Sequence, residues 1–558
     1  MKAARQASDL WWKNAVIYCL DAETFLDSDG DGCGDFAGLT QRVDYLAGMG
    51  VTCIWLMPFF PSPDLDDGYD VTDFYGVDPR LGTLGDFVEF VRTARHRGIR
   101  VIADLVVNHT SDRHPWFQAA RSDRDSPYRD YYVWRDTPPA DGDEGVVFPD
   151  AEDSLWELDE QTGQYYLHRF YAHQPDLNVA HPAVRDEVAK IIGFWLELGL
   201  SGFRVDAVPF FLEIESEVGD VDLDPHDYLR DLRAFLSRRR GDAVLLGEVN
   251  LDPAEQRRFF GDEDGDELHM LFNFIGMQAM YLSLARADAG ALEEALRALP
   301  PVPPDNQWAS FVRNHDELTL DKLSDAERAE VFAAFGPDED MQLFGRGLRR
   351  RLPPMLDGDQ RRIRMVYSLM FSLPGTPVLF YGEEIGMGEN LAVEGRLSVR
   401  TPMQWSDERN AGFSDGDAST LPIAVVEDAT YGSSAVNVAD QRRDPESLLN
   451  WMERLIRRRS ECPEFGWGEW QLIATAEPAL FAHRCDWEGS TVIAVHNLSS
   501  RACTTTLEIS EPDDCEGLID LLGDRDEVPL EAGGLQLDLD PYAYRWFRVR
   551  RRGQRLLP

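Results

Sequence analysis

Four short segments end in groups capable of acid–base or nucleophilic chemistry. DLVVNH carries Asp104, Asn108 and His109, GFRVDAV carries Arg204 and Asp206, GEVN carries Glu248, and VRNHDE carries His315 and Asp316. In each, the reactive residues close an apolar run, so a core element delivers them to an end that a ligand can reach. GFRVDAV is the most demanding, because it sets an arginine two positions before an aspartate among Phe203, Val205, Ala207 and Val208. Two readings fit that pair: a satisfied buried ion pair, or an aspartate held ionised as a nucleophile by a fixed cation. A strand-end Asp or His taken alone serves as a loop cap or structural partner as readily as a catalyst. Carboxylates, histidines and an arginine closing four separate runs call for one shared mouth.

Such a mouth needs parallel strands that finish together. Apolar runs at 15–25, 51–60, 99–109, 201–208, 243–250, 267–274, 307–316 and 376–384 alternate with helix-period segments. Eight such units predict an α/β fold, a (β/α)8 TIM barrel, whose chemistry sits at the C-terminal ends of its strands. Residues 110–175, rich in Asp, Arg, Pro and Tyr, are too long for an ordinary connection and predict a subdomain inserted after the third strand, over the mouth. From 467 the pattern changes to short alternating strands such as LIATAEPALFAHRCDW and STVIAVHNLSS, which predict a C-terminal antiparallel β-sandwich over 467–558. The barrel then occupies 1–109 and 176–466.

Composition narrows the partners. The chain of 558 residues has 100 acidic against 55 basic side chains, a formal net charge of -45. It repels phosphate backbones and anionic bilayers, so nucleic acid and membrane are excluded as partners and a neutral or cationic small molecule fits better. Lysine occurs only at Lys2, Lys13, Lys190 and Lys322; with the acidic excess, this fits a salt-rich cytoplasm and a codon-composition effect equally. The N-terminal MKAARQASDLWWKN lacks the apolar core of a signal peptide and no stretch approaches a membrane span, which sets the expectation of a cytoplasmic protein. Cys19, Cys33, Cys53, Cys462, Cys485, Cys503 and Cys515 are odd in number and form no CxxC, which speaks against zinc or a disulfide framework and for buried small hydrophobes. A homo-oligomer is compatible with all of this.

Taken in order, the four segments resemble the conserved stretches of the α-amylase superfamily, glycoside hydrolase family 13. QPDLN (174–178) resembles a fifth, in the form carried by α-glucosidase-like members. The resemblance runs from about residue 10 to the end. It implies a retaining mechanism in which Asp206 attacks the anomeric carbon, Glu248 is the acid/base, and Asp316 binds sugar hydroxyls and stabilises the oxocarbenium-like ring. His109 and His315 would hydrogen-bond the same sugar. Arg204, at the substrate's edge, would keep Asp206 ionised, Asp104 would orient Arg204, and Glu248 would need a less compensated setting to hold its proton near neutrality.

The resemblance also implies a pocket wall and metal sites. DDGYD (66–70) resembles the stretch supplying a sugar-stacking tyrosine, Tyr69, and an aspartate, Asp66, while VRTPMQW (399–405) supplies Arg400. In disaccharide-active relatives that Asp and Arg pair, so an Asp66–Arg400 bridge is expected to wall off the pocket and admit one terminal glucose. DSDGDGCGD places Asp27, Asp29, Asp31 and Asp35 on one glycine-rich loop of the hard oxygen ligands calcium prefers. It lacks the Glu of a full EF-hand loop but resembles the calcium loop after strand one of oligo-1,6-glucosidase-like members. A second calcium site would use Asn108, Asp176 and Glu213, with carbonyls near Phe210 and Phe211. No cofactor is expected for the chemistry; calcium would be structural.

WASFVRNHDELTL, GTPVLFYGEEIGMGEN, VRTPMQWSDERNAGFS and SLLNWMERLIRRR resemble the family's maltose–trehalose isomerases. That resemblance implies a disaccharide substrate whose glucosyl unit passes to Asp206 while the released glucose stays trapped, turns over and attacks to form the α,α-1,1 bond. The segment 211–232 and the residues after QPDLN depart from that group. Loops over the mouth govern water access, so an α-glucosidase or transglucosidase acting on maltose, trehalose or short α-glucosides stands as the alternative. A catalytically dead sugar-binding scaffold would lack the nucleophile or the acid/base, and both are present.

Overall fold

GFRVDAV forms the fourth of eight parallel strands. The structure, a computed structural model, describes residues 10–552 except 141, 143, 150, 213–223, 509–514, 524–526 and 529–533. The strands are β1 (Ile17–Leu20), β2 (Cys53–Leu56), β3 (Arg100–Leu105), β4 (Gly202–Val205), β5 (Val244–Gly247), β6 (Met270–Phe272), β7 (Gln307–Phe311) and β8 (Thr376–Phe380). They pair in sequence order, and β8 closes on β1 with Val378 opposite Ile17. Both faces are covered, which is why the runs read as continuously apolar. At the start of β4, Gly202 has φ +142°, and a Cβ there would lie 2.1 Å from the Val244 carbonyl oxygen. Only glycine lets β4 lie so close to β5.

Each strand stops before its apolar run does. β3 ends at Leu105, so Asn108 and His109 lie on the loop above it, and β4 and β5 end one residue before Asp206 and Glu248. The expected barrel is therefore present, with its polar residues at the strand-to-loop junctions.

Residues 110–175 contain a helix (Pro115–Ser122) and a three-stranded antiparallel sheet in the order Trp134–Arg135, Gln164–Leu167, Trp156–Asp159. Bridges His109 to Asp176 and Tyr132 to Leu177 fasten it to the barrel. A second excursion, absent from the sequence reading, follows β7: helix Asp325–Phe335 beside a small sheet of Leu318–Thr319, Gly347–Leu348 and Gln342–Leu343. The C-terminal region is antiparallel, with six strands in one sheet and Cys503–Leu507 paired to Leu535–Leu539 in another. Between them lies a separate apolar core including Leu480, Ile493, Leu535 and Phe547. Its inner edge docks on helix Gln360–Ser372: Trp546 Nε1 donates to Ser368 Oγ at 3.1 Å, and His483 Nε2 lies 2.8 Å from the Ser372 carbonyl. No helix among the described residues is long and apolar enough to cross a membrane. All seven cysteines are free, four buried and Cys33, Cys503 and Cys515 half-buried.

Candidate active site

At the C-terminal ends of β3, β4 and β5, one guanidinium serves three carboxylates. Arg204 Nη1 donates to Asp104 Oδ1 at 2.6 Å and to Asp206 Oδ1 at 2.5 Å, and its Nη2 lies 2.8 Å from Glu248 Oε2. Arg204 is 1% exposed, so these contacts are unscreened by water. Trp55 Nε1 fixes the other oxygen of Asp104 at 2.8 Å, which locks Arg204 from behind. Ala207 takes φ +49°, a left-handed conformation costing about 1–2 kcal/mol for a residue with a side chain. Its N–H thereby reaches Glu248 Oε2 at 3.2 Å, and the chain turns at once after Asp206.

Burial dominates the electrostatics. It pushes Asp206 up to about 6 despite Arg204, with Asp104 and Asp316 adding to the rise. Burial likewise pushes Glu248 up to about 7, Arg204 opposing and Asp206 and Asp316 adding. Asp316 is the opposite case: burial would raise it, but His315, Arg396, Arg400 and Arg204 hold it far below the usual carboxylate range. Glu248 is expected to need a less compensated setting; in the structure it shares Arg204 with Asp206, and burial raises both carboxyls.

The pocket wall requires a correction. Asp66 pairs with Arg396, whose Nη2 lies 2.7 Å from Asp66 Oδ1 and whose Nη1 lies 2.7 Å from Asp316 Oδ1. Arg400 instead contacts Asp67 at 2.5 Å and Asp316 at 3.0 Å, while its Nε holds the His315 carbonyl at 2.8 Å. Asp66 and Asp67 are adjacent, and the two arginines are four residues apart on a 3-10 turn (Gly395–Val399) and its end. Asp66 is further held by Gln174 Nε2 at 2.9 Å. The wall thus exists, built by an arginine that sequence reasoning missed.

A cavity of about 420 Å³ opens above these groups, lined by Asp66, Tyr69, His109, Asp206, Glu248, Asp316 and Arg396. Arg204, His315 and Arg400 stand behind that lining. His315 is completely buried, with its Nε2 2.6 Å from the Tyr69 hydroxyl and 3.3 Å from Asp316 Oδ2, and its ring lies parallel to that of Tyr69. The structure therefore gives it a role in holding Tyr69 and Asp316 rather than in facing the cavity. Over the mouth, Phe148 of the inserted subdomain packs on Phe344 of the post-β7 excursion at 5.0 Å between ring centres. Arg346 Nη1 donates to the Val147 carbonyl at 2.9 Å, and its Nη2 lies 3.3 Å from Glu317 Oε1. Phe148, Phe344 and Arg346 had no distinguishing signal in the sequence.

Residues 19–331 and 349–468 match the Alpha amylase, catalytic domain family. The chain belongs to the α-amylase family, glycoside hydrolase family 13. In this α-amylase-family chain, residues 489–548 match the Sucrose hydrolase-like, C-terminal domain family. Among its relatives, trehalose synthase/amylase TreS of Mycobacterium tuberculosis (strain ATCC 25618 / H37Rv) is 43% identical over 89% of this chain and 83% of its own length. Trehalose synthase of Pimelobacter sp. (strain R48) is 40% identical over 97% and 96%. The solved structure of an inactive double mutant of MutB in complex with isomaltulose superposes with a TM-score of 0.77 at 28% identity, covering 97% of this chain and 99% of that one.

The expected metal ligands are only partly brought together. Carboxylate oxygens of Asp27, Asp29 and Asp35 lie within 4.8 Å of one another, a spacing and donor type that fit calcium. Asp31 is outside this group and caps the Cys33 N–H at 2.8 Å. In the second set Asn108 Nδ2 donates to Asp176 Oδ1 at 3.2 Å, and both residues are fully buried. Asn108 Oδ1 has no hydrogen-bond partner among the described residues, which suits a cation, but the Arg169 guanidinium already lies 3.3 Å from Asp176 Oδ2. Phe210 lines the cavity; Glu213 and the side chain of Phe211 lie outside what is described.

Proposed function

We propose that the protein interconverts maltose and trehalose through a covalent glucosyl–Asp206 intermediate. The observation that carries this reading is the Asp206–Arg204–Glu248 group facing a cavity whose side is closed by the Asp66–Arg396–Asp316 bridge. A volume of about 420 Å³ falls within the roughly 300–1,000 Å³ of small-ligand sites and suits a disaccharide better than a polymer. The names of the relatives at 40–43% identity support the same substrates.

The mechanism follows from the protonation order. Asp206, ionised, attacks the anomeric carbon, while Glu248, protonated, gives its proton to the departing oxygen. Asp316, fixed as an anion by Arg396 and Arg400, stabilises positive charge developing on the ring. The freed glucose turns under Phe148 and Phe344, and its anomeric hydroxyl gives a proton to Glu248 as it attacks the ester. Water exclusion decides between isomerisation and hydrolysis. Calcium held by Asp27, Asp29 and Asp35 would be structural, and the free thiols fit a reducing, cytoplasmic setting.

Incubation with maltose and with trehalose separately, with sugars quantified over time, tests the reading. Each is expected to yield the other with little free glucose. Glucose as the main product from both, or inertness toward both, would overturn it.

A further inference from the structure

A second cavity, about 840 Å³, lies far from the barrel mouth, between helix Leu448–Ser460, the start of helix Gln360–Ser372 and the C-terminal strand Tyr544–Arg551. Its lining inverts the charge of the molecule. Arg361, Arg364, Arg454, Arg457, Arg458 and Arg545 face it against two acids, Glu461 and Asp540, in a chain where acidic residues outnumber basic ones 100 to 55. Four of these arginines have carboxylate partners: Asp359, Glu453, Glu461 and Asp520.

Arg364 and Arg454 do not, among the described residues. Arg364 donates through Nη2 to the Glu446 carbonyl, and its buried Nε has no partner. Arg454 donates through Nη1 to the Pro445 carbonyl at 2.9 Å. A guanidinium carries five N–H donors, so both retain capacity for an anion. Aromatic rings line the same groove. Arg364 lies 5.8 Å from the centre of the Trp451 ring, and Trp451 meets Tyr544 edge-to-face at 5.9 Å. Burial raises the Tyr544 hydroxyl's pKa, and Arg364, a hydrogen bond with Trp451, Arg545 and Arg454 oppose that rise.

Guanidiniums without carboxylate partners beside flat aromatic surfaces match a ligand carrying a phosphate on a ring. Arginine forks bind phosphate through paired, charge-assisted hydrogen bonds, and tryptophan offers a stacking face. We propose that this groove binds a small phosphorylated ring compound, a nucleotide or a sugar phosphate, with its phosphate on Arg364 and Arg454 and its ring against Trp451 and Tyr544. The acidic bulk of the molecule would repel such a ligand elsewhere, which confines binding to this groove.

Calorimetric titration of the full chain at low salt with ATP, glucose 6-phosphate and inorganic pyrophosphate tests this. Saturable binding of ATP or glucose 6-phosphate is expected, and whichever binds tighter identifies the ring. Pyrophosphate, lacking a ring, should bind at least about tenfold more weakly. R364Q/R454Q should weaken binding at least about tenfold, as losing charge-assisted hydrogen bonds requires, with maltose turnover unchanged. Because Arg364 braces the 445–446 turn, R454E/R545E, confined to the other two guanidiniums, provides a second variant. No saturable binding of the ring compounds, binding of pyrophosphate as tight as theirs, or full affinity in both variants would overturn the proposal.

Discussion

Arg204 divides one positive charge among Asp104, Asp206 and Glu248, so burial leaves the last two with raised pKa values near 6 and near 7. Asp206 must be ionised and Glu248 protonated for the first step. The rising limb of kcat/KM is therefore expected to bend near pH 6 and the falling limb near pH 7, each limb about tenfold per unit beyond its bend. The two groups titrate as a pair, so these bends belong to the dyad. In Glu248→Gln, assayed with an aryl α-glucoside whose leaving group needs no proton, the alkaline limb should vanish; its persistence would remove Glu248 from the acid role. The shared guanidinium also accounts for the second half of the reaction. In the proposed second half, esterified Asp206 carries no charge, so Glu248 loses a like-charged neighbour while keeping Arg204; its pKa falls, and the carboxylate form would accept the incoming hydroxyl's proton. Asp206, Glu248 and Asp316 were legible because each closes an apolar run. Which of Asp66 and Asp67 meets which of Arg396 and Arg400 was not, since neighbours in one dimension differ only once the chain turns.

At the scale of elements, two loops from different parts of the chain make the roof. Phe148 and Val147 come from the insertion after β3, Phe344 and Arg346 from the excursion after β7. Arg346→Ala removes the hydrogen bond to Val147 and the ion pair to Glu317, so the share of free glucose among products from maltose should rise several-fold while cleavage of an aryl α-glucoside stays near normal. Arg396→Ala should act on the wall instead, raising turnover of maltotriose relative to maltose. An unchanged product ratio and an unchanged chain-length preference would count against these two assignments in turn. The eight strands were legible from their continuous apolar runs. Of the roof, the insertion at 110–175 was legible from its length; the half after β7 was not, because its small sheet has strands of two residues, too short for alternation to register.

At the scale of the whole molecule, the acidic loop after β1 fastens distant parts together. Asp27 accepts from Ser414 Oγ at 2.6 Å, and its N–H donates to the Phe413 carbonyl at 3.0 Å, so a cation on Asp27, Asp29 and Asp35 would stabilise contact between the start of the barrel and the region after β8. Chelation with EDTA should lower Tm, because an ion bound only by the folded state adds to its stability; an identical Tm with and without chelator would take calcium out of this loop. The closed barrel carries a consequence for how the chain is made. Val378 follows its partner Ile17 by 361 residues (378 − 17), which is roughly 20–70 s of synthesis at about 5–20 residues per second. Until β8 has been made, the edge of β1 that it covers in the closed barrel has no strand to pair with, so the nascent chain carries an unfilled strand edge, and a pause before residue 376 would prolong the stage most exposed to misassembly.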